Sequence, residues 1–238
     1  MVIRSLRSIN WEDVLSLKSK LDTLFTVLLG SCALVVTTLY VRREFSKPQP
    51  PKLVLDQLDK WRDYKTGSKM IGNVGAPVNV MVVSDFQCPF CKKFADNVRK
   101  LQVARPGKIS ITYVNFPLTQ IHAQARSAAI AAECAAKQSK FEQYHDYLFS
   151  KQDSLAALNW TAAASVAGVD DTVGFKRCLT DVATLQQLRA DSSLSAKFNV
   201  NATPTVYING WRFSSPPTDI QLDSAVQSLL LRADRASR

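Results

Sequence analysis

The chain has 238 residues, 46% of them hydrophobic, and a formal net charge of +10 at pH 7. That length holds one ordinary domain with appendages, and the composition is that of a folded protein rather than a disordered one. Eight glycines and three methionines leave little material for a glycine-rich phosphate loop or a methionine-rich groove. The basic excess comes without a helix–turn–helix, zinc-finger or aromatic–basic ribonucleoprotein pattern, so acidic proteins or lipid headgroups are the expected partners and no nucleic acid is.

In chain order, residues 1–22 form a mixed polar and apolar tail. Thr23 to Val41 then run without a charge. At ~1.5 Å of rise per residue such a helix crosses a hydrocarbon core of about 30 Å, and a soluble helix of this length would carry a polar face. Residues 23–41 are therefore expected to be a transmembrane anchor. Leu29-Gly30-Ser31-Cys32 faintly resembles a lipoprotein cleavage box, but the apolar run continues through Leu39, and no small-x-small signal cleavage site follows. An uncleaved anchor is expected. Basic residues flank both ends, so the positive-inside rule does not orient it.

Residues 42–67 are a linker. Pro48, Pro50 and Pro51 stiffen its start, and Leu53, Leu55, Leu58 and Trp61 among charges suggest a short amphipathic helix ending before Gly67. The domain proper is placed at 68–238. Val78 to Val83 is a short β-branched run bounded by turn residues, which reads as a buried strand. Asp85 to Cys88 form a turn, Lys92 to Leu101 are helical, and Arg105-Pro106-Gly107 stops the helix. Residues 108–116, KISITYVNF, alternate as a second strand. Helical spacing covers His122 to Phe149, Thr161 to Ala167 and Thr172 to Phe198. Thr205 to Ile208, Asn209-Gly210 and Trp211 to Phe213 read as a hairpin, because Asn-Gly is the strongest two-residue hairpin signal. A last helix runs from Asp219 to Arg232. The order is β-α-β, a helical block at about 119–198, then β-β-α, an α/β fold behind one membrane helix.

The five cysteines are Cys32, Cys88, Cys91, Cys134 and Cys178. A structural zinc site wants four ligands in paired clusters, and neither His122 nor His145 stands at ligand spacing from the C-x-x-C. Cys88-Pro89-Phe90-Cys91 instead follows a buried strand and opens a helix. With Cys88 at the N-cap, Pro89 occupies the first helical position, where its missing N–H costs nothing. The Cys88 sulfur then faces the free N–H groups of Phe90 and Cys91 and the positive end of the helix, which favours the thiolate that attacks in disulfide exchange. Cys91, one turn inside, is shielded and suits a resolving thiol. Lys92 and Lys93 add positive charge nearby, whereas Phe90 offers the sulfur no donor.

The order of elements, with SDFQCPFCKKF, HAQARSAAIAAECAAKQSKFEQYHDYLF and VNATPTVYING, resembles the DsbA-like branch of the thioredoxin superfamily over residues 68 to 232. The resemblance implies a thioredoxin-like fold with an inserted helical domain and exchange of disulfides with protein substrates outside the cytoplasm. It implies Cys88 as nucleophile, Cys91 as resolving cysteine, and a cis peptide at Thr203-Pro204 beside them. No cofactor is implied beyond the redox-active Cys88–Cys91 pair. A membrane redox partner would reset that pair, and the domain would face the periplasm from a single-pass anchor in a bacterial inner membrane. In similar sequences the strand position six before the first cysteine is usually acidic; here it is Val82, which leaves proton transfer from the inner thiol to water or another group. Asp85 is expected to be solvated in its turn.

Cys134 and Cys178 fall in the helical block, either as two small buried hydrophobes or as a structural disulfide. Cys32 is expected only to pack or face lipid. His122 and His145 are expected on helix surfaces or at caps, Tyr144, Tyr147 and Phe149 in the core, and Trp211 in packing. The direction expected of the centre is moderately oxidising. The alternatives are a module that holds copper or zinc on the same two thiolates, and a tethered binding domain that no longer turns over.

Overall fold

A computed structural model of the chain describes residues 11–45, 53–57 and 69–236. Most of the expected proline-stiffened linker, and Leu58, Trp61 and Gly67 of the expected amphipathic helix, lie outside the described residues. The chain divides into two compact units, Met1–Gln49 and Pro50–Arg238.

The first unit holds helix α1, Trp11–Phe45. Its segment Leu15–Arg43 contains an 18-residue stretch of mean hydropathy 2.1 and is long and apolar enough to cross a membrane by length and composition. The helix runs past both ends of the charge-free stretch. The Thr23, Thr26, Thr37 and Thr38 hydroxyls within it donate to the carbonyls of Ser19, Asp22, Ala33 and Leu34 at 2.7–2.9 Å. Such bonds within the helix satisfy these polar side chains without solvent.

The second unit is built on one six-stranded mixed sheet, in the order β1-β6-β5-β3-β4-β2. Its strands are β1 (Leu53–Gln57), β2 (Met70–Gly72), β3 (Val78–Ser84), β4 (Ile109–Asn115), β5 (Thr205–Ile208) and β6 (Trp211–Phe213). The short amphipathic helix expected over Leu53 and Leu55 is instead the edge strand β1, paired antiparallel to β6 with Leu53 opposite Phe213. Leu53 and Leu55 are two apart, a strand period as much as part of a helical one. β3 is buried along its whole length, parallel to β4 and antiparallel to β5. Val78, Val80 and Val82 face the larger core, and Met81 and Val83 the smaller one, the alternation that a two-sided strand imposes. The hairpin turn is as expected: Asn209 and Gly210 hold φ of 45° and 87°, the left-handed pair a tight hairpin needs.

Helix α2 (Pro89–Ala104) crosses from β3 to β4, and α8 (Asp219–Ala236) closes the chain. Between β4 and β5 stand α3 (Ala125–Lys137), α4 (Phe141–Ser150), a 3₁₀ turn (Gln152–Ala157), α5 (Trp160–Val166), α6 (Thr172–Cys178) and α7 (Val182–Lys197). The two long helices expected here are each split. Ser139 adopts a φ of 59° after α3. Asp181 caps α7 by accepting from the Ala183 N–H at 3.2 Å. A disulfide joins Cys134 of α3 to Cys178 of α6, which settles the choice between bonded cysteines and two packed thiols.

A buried ionic cluster bolts this helical block to the sheet. Lys69 Nζ, fully enclosed, donates to Glu133 Oε1 of α3 at 2.7 Å and to Asp191 Oδ2 of α7. Asn115, at the end of β4, donates its side-chain N–H to Glu133 at 2.7 Å and its backbone N–H to Asp191 at 2.8 Å. Burial raises the Glu133 pKa against the opposing pull of Lys69. Removing the single cation strands two carboxylates in the interior, so Lys69→Ala is expected to cost ~3–5 kcal/mol of stability, read from urea unfolding of the folded chain.

Candidate active site

β3 delivers the chain to the site. It ends at Ser84, Asp85 to Gln87 turn, and Cys88 caps α2 in an extended conformation (φ −73°, ψ 119°) with Pro89 at the first helical position. The Cys88 carbonyl accepts from the N–H groups of Cys91 at 3.0 Å and Lys92 at 3.2 Å. Cys91 lies one turn along, on the inner face that also buries Phe94, Val98 and Leu101. Cys88 is 4% exposed and Cys91 1%, while Phe90 between them is 69% exposed. The two sulfurs are thus buried, while the side chain between them faces solvent.

Their electrostatics are opposite. The Cys88 pKa is lowered from 9.0 to about 5, because the Cys91 thiol donates to the thiolate; Thr203 and the N–H groups of Cys91 and Phe90 add to this against the cost of burial. The Cys91 pKa is raised, first by burial and then by its donation to Cys88; Ser84 and the Asp85 N–H, 3.5 Å from the sulfur, oppose this only partly. Lys92 is not among the causes at Cys88; it pairs with Asp96 at 2.8 Å. Hydrogen bonding thus leads the shift at Cys88.

Strand pairing brings the rest. Thr205 of β5 lies opposite Val83 of β3, which places Thr203 and Pro204 beside the turn. Their peptide bond is cis, and Cys88 Sγ, as a thiol, donates to the Thr203 carbonyl at 3.4 Å. All six residues expected at the site meet there, and Cys134 and Cys178 stand apart in the helical block.

Asp85 corrects its expectation. Its side chain is fully enclosed, because Oδ1 accepts from the Gln87 N–H at 2.7 Å and Oδ2 faces the Leu118 N–H and His122 Nδ1, each at 2.8 Å. His145 is another correction: it is 5% exposed, packed among Phe86, Tyr113, Phe141 and Phe149. Gln152 escaped sequence reasoning. Its Nε2 donates to the carbonyls of Phe86 at 2.7 Å and Cys88 at 3.1 Å, from a 3₁₀ turn more than sixty residues away, and no local pattern signals that reach. Trp211, Tyr144 and Phe149 pack in the core as expected.

A protein-family model described as thioredoxin matches residues 65–228. The chain belongs to the thioredoxin superfamily, in its DsbA-like branch. The disulfide bond formation protein D of Bacillus subtilis is 30% identical over 155 residues, spanning 60% of this chain and 68% of that protein. The oxidised structure of BdbD from Bacillus subtilis superposes with a TM-score of 0.60 at 26% identity, covering 68% of this chain and 92% of that one. Wolbachia pipientis alpha-DsbA1 gives 0.61 at 20% identity, covering 71% and 94%. The Na(+)/H(+) antiporter NhaA 3 of Salinispora tropica is 33% identical over 178 residues, 74% of this chain. The chain spans about a quarter of the length of this antiporter, 26% of it.

In this thioredoxin-like site the two thiols should separate on titration. The ultraviolet thiolate absorbance of the reduced chain, minus that of Cys88→Ser, is expected to rise through about pH 5, with Cys91 still protonated at neutral pH. A Cys88 transition at the ordinary thiol value would contradict the geometry.

Proposed function

We propose that the chain is a protein disulfide oxidoreductase that exchanges disulfides with protein substrates outside the cytoplasm, with Cys88 as nucleophile and Cys91 as resolving thiol. One observation carries the reading. Two thiols one turn apart have been driven in opposite directions, the outer toward thiolate and the inner toward neutral thiol.

In the oxidising direction a substrate thiolate attacks Cys88 Sγ of the enzyme disulfide. Cys91 leaves as a thiolate and takes up a proton. A second substrate thiol then attacks the substrate sulfur of the mixed disulfide and displaces Cys88 as its stabilised thiolate. The substrate loses two electrons and gains a disulfide, and the enzyme gains two electrons. Pro89 and Phe90 shape the exposed side of the centre, and Thr203 with Pro204 frames the other. A membrane redox partner would return the pair to the disulfide.

Direction follows from the thiolate. A Cys88 pKa of about 5 against 9.0 favours the reduced fold by about 3 kcal/mol at pH 7. The sign is that of a depressed pKa: the gain grows as pH rises toward 9 and vanishes as pH falls through about 5. Favouring the reduced enzyme makes its disulfide the better oxidant.

Cys88→Ser is expected to abolish oxidation of a dithiol peptide, and Cys91→Ser to accumulate mixed disulfides on non-reducing gels. Activity surviving in Cys88→Ser would refute the mechanism. Stoichiometric copper or zinc on the same preparation, with no exchange, would favour the soft-metal reading instead.

We place the domain in the periplasm, held by α1 in a bacterial inner membrane, because a pair that donates its disulfide must be re-oxidised, which a reducing cytosol opposes. Protease added to intact spheroplasts is expected to digest the domain, and protection until lysis would overturn this topology.

A further inference from the structure

Each time Cys91 joins or leaves Cys88 it must give up or take back a proton, and the groups touching it are poor acceptors. Asp85 offers it only a backbone N–H, its carboxylate being occupied by Gln87, Leu118 and His122. Val82, on the same face of the sheet, is hydrocarbon. Behind Cys91, however, lies a cavity of about 20 Å³ that Val82, Ser84, Tyr113 and His145 also line, room for about one water. The Tyr113 hydroxyl is buried without a hydrogen-bond partner in the protein, and burial raises its pKa, so it remains a donor. Ser84 lines the same cavity as Cys91 and Tyr113, which sets its hydroxyl among them. His145 Nδ1 lies 2.9 Å from Asp146 Oδ1. With that N–H donated to the carboxylate, Nε2 carries the lone pair.

We propose that His145 is the proton acceptor and donor for Cys91, reached through the cavity by way of Ser84, Tyr113 and water, and that Asp146 positions its imidazole. The proposal rests on the disulfide-exchange reading above. When the reduced enzyme resolves a mixed disulfide, the Cys91 proton passes to His145, the Cys91 sulfur bonds to Cys88 Sγ, and the Cys88–substrate bond breaks with the substrate leaving as thiolate. The imidazolium then loses its proton to solvent on the side where Asp146 and Arg99, both lining the cavity, are 42% and 51% exposed. In the opposite direction the proton returns by the same route to the departing Cys91 thiolate. The ionisable groups around the imidazole are Asp146 and Glu142 on its own helix, Arg99 and Cys91 from α2, and Tyr113 from β4. Arg99 bonds Glu142 at 2.7 Å and Asp146 at 3.2 Å, one cation for two carboxylates, which leaves the cavity mouth favourable to an imidazolium.

The test separates the two steps. The reduced full-length chain in detergent is mixed with glutathione disulfide and acid-quenched, and mass spectrometry follows the mixed disulfide at Cys88 and its resolution by Cys91. In His145→Gln the first step is expected to stay within about twofold of wild type. Resolution is expected to slow by about tenfold or more and to lose the part of its pH dependence that the imidazole carries. Asp146→Asn, a change at a half-exposed side chain, should alter the pH dependence of resolution, because the imidazolium loses its anionic partner. Tyr113→Phe should slow resolution alone. Unchanged resolution and pH profile in folded His145→Gln would overturn the proposal. If that variant does not fold, an Asp146→Asn profile superimposable on wild type overturns it. A wild-type chain that forms no mixed disulfide at Cys88 fails differently, by removing the exchange reading itself.

Discussion

A helix that begins where a buried strand ends has two unlike places for a side chain within its first turn. The cap position lies over unpaired N–H groups, and the position three residues on is already against the core. Cys88 and Cys91 occupy these two places, so identical thiols acquire opposite proton affinities. The rest of the domain keeps that junction in register. β3 is held on both sides by β4 and β5, and β5 emerges directly from Thr203 and Pro204. The same strand pairing that builds the sheet therefore sets the distance from Cys88 to its second wall.

The helical block is attached at this junction as well as at the sheet edge. From one side the segment after β4 is tied to the turn through Leu118 and His122 on Asp85. From the other, Gln152 holds the carbonyls of Phe86 and Cys88. Lys69 with Glu133 and Asp191 fixes α3 and α7 farther along. A buried cluster of this kind contributes little net stability over a hydrocarbon core of the same volume, but it punishes any displacement that unpairs a charge. Its effect is to leave the block one position relative to the sheet, and hence to hold Gln152 and His145 where the site uses them.

Much of this was legible in the sequence, for identifiable reasons. Val78 to Val83 and Asn209-Gly210 are signals whose physics is local: a β-branched run and a left-handed turn. The C-x-x-C with Pro89 inside it announces a helix N-terminus by the same logic. β1 and β2 were not legible as strands, because a three-residue strand carries no period and Leu53 with Leu55 suits two. The breaks at Ser139 and Asp181 carry no Gly or Pro. The environments of Asp85 and His145 depend on which distant backbone groups arrive beside them. Composition near Asp85 gave solvation as the reasonable expectation, and only the return of the chain at Leu118 to His122 encloses it.

The source of the Cys88 thiolate also decides how the site responds to its surroundings. Stabilisation by nearby lysines would act through a field that salt screens over about 10 Å. Lys92 instead faces Asp96, and the thiolate is favoured by hydrogen bonding, first from the Cys91 thiol. Contact hydrogen bonds in a nearly closed site are screened very little, but they depend steeply on angle and distance. The reactivity of Cys88 is thus insulated from ionic strength and exposed to backbone geometry. That is why its carbonyl is pinned by Gln152 from outside the helix, in addition to the two amides of its own first turn.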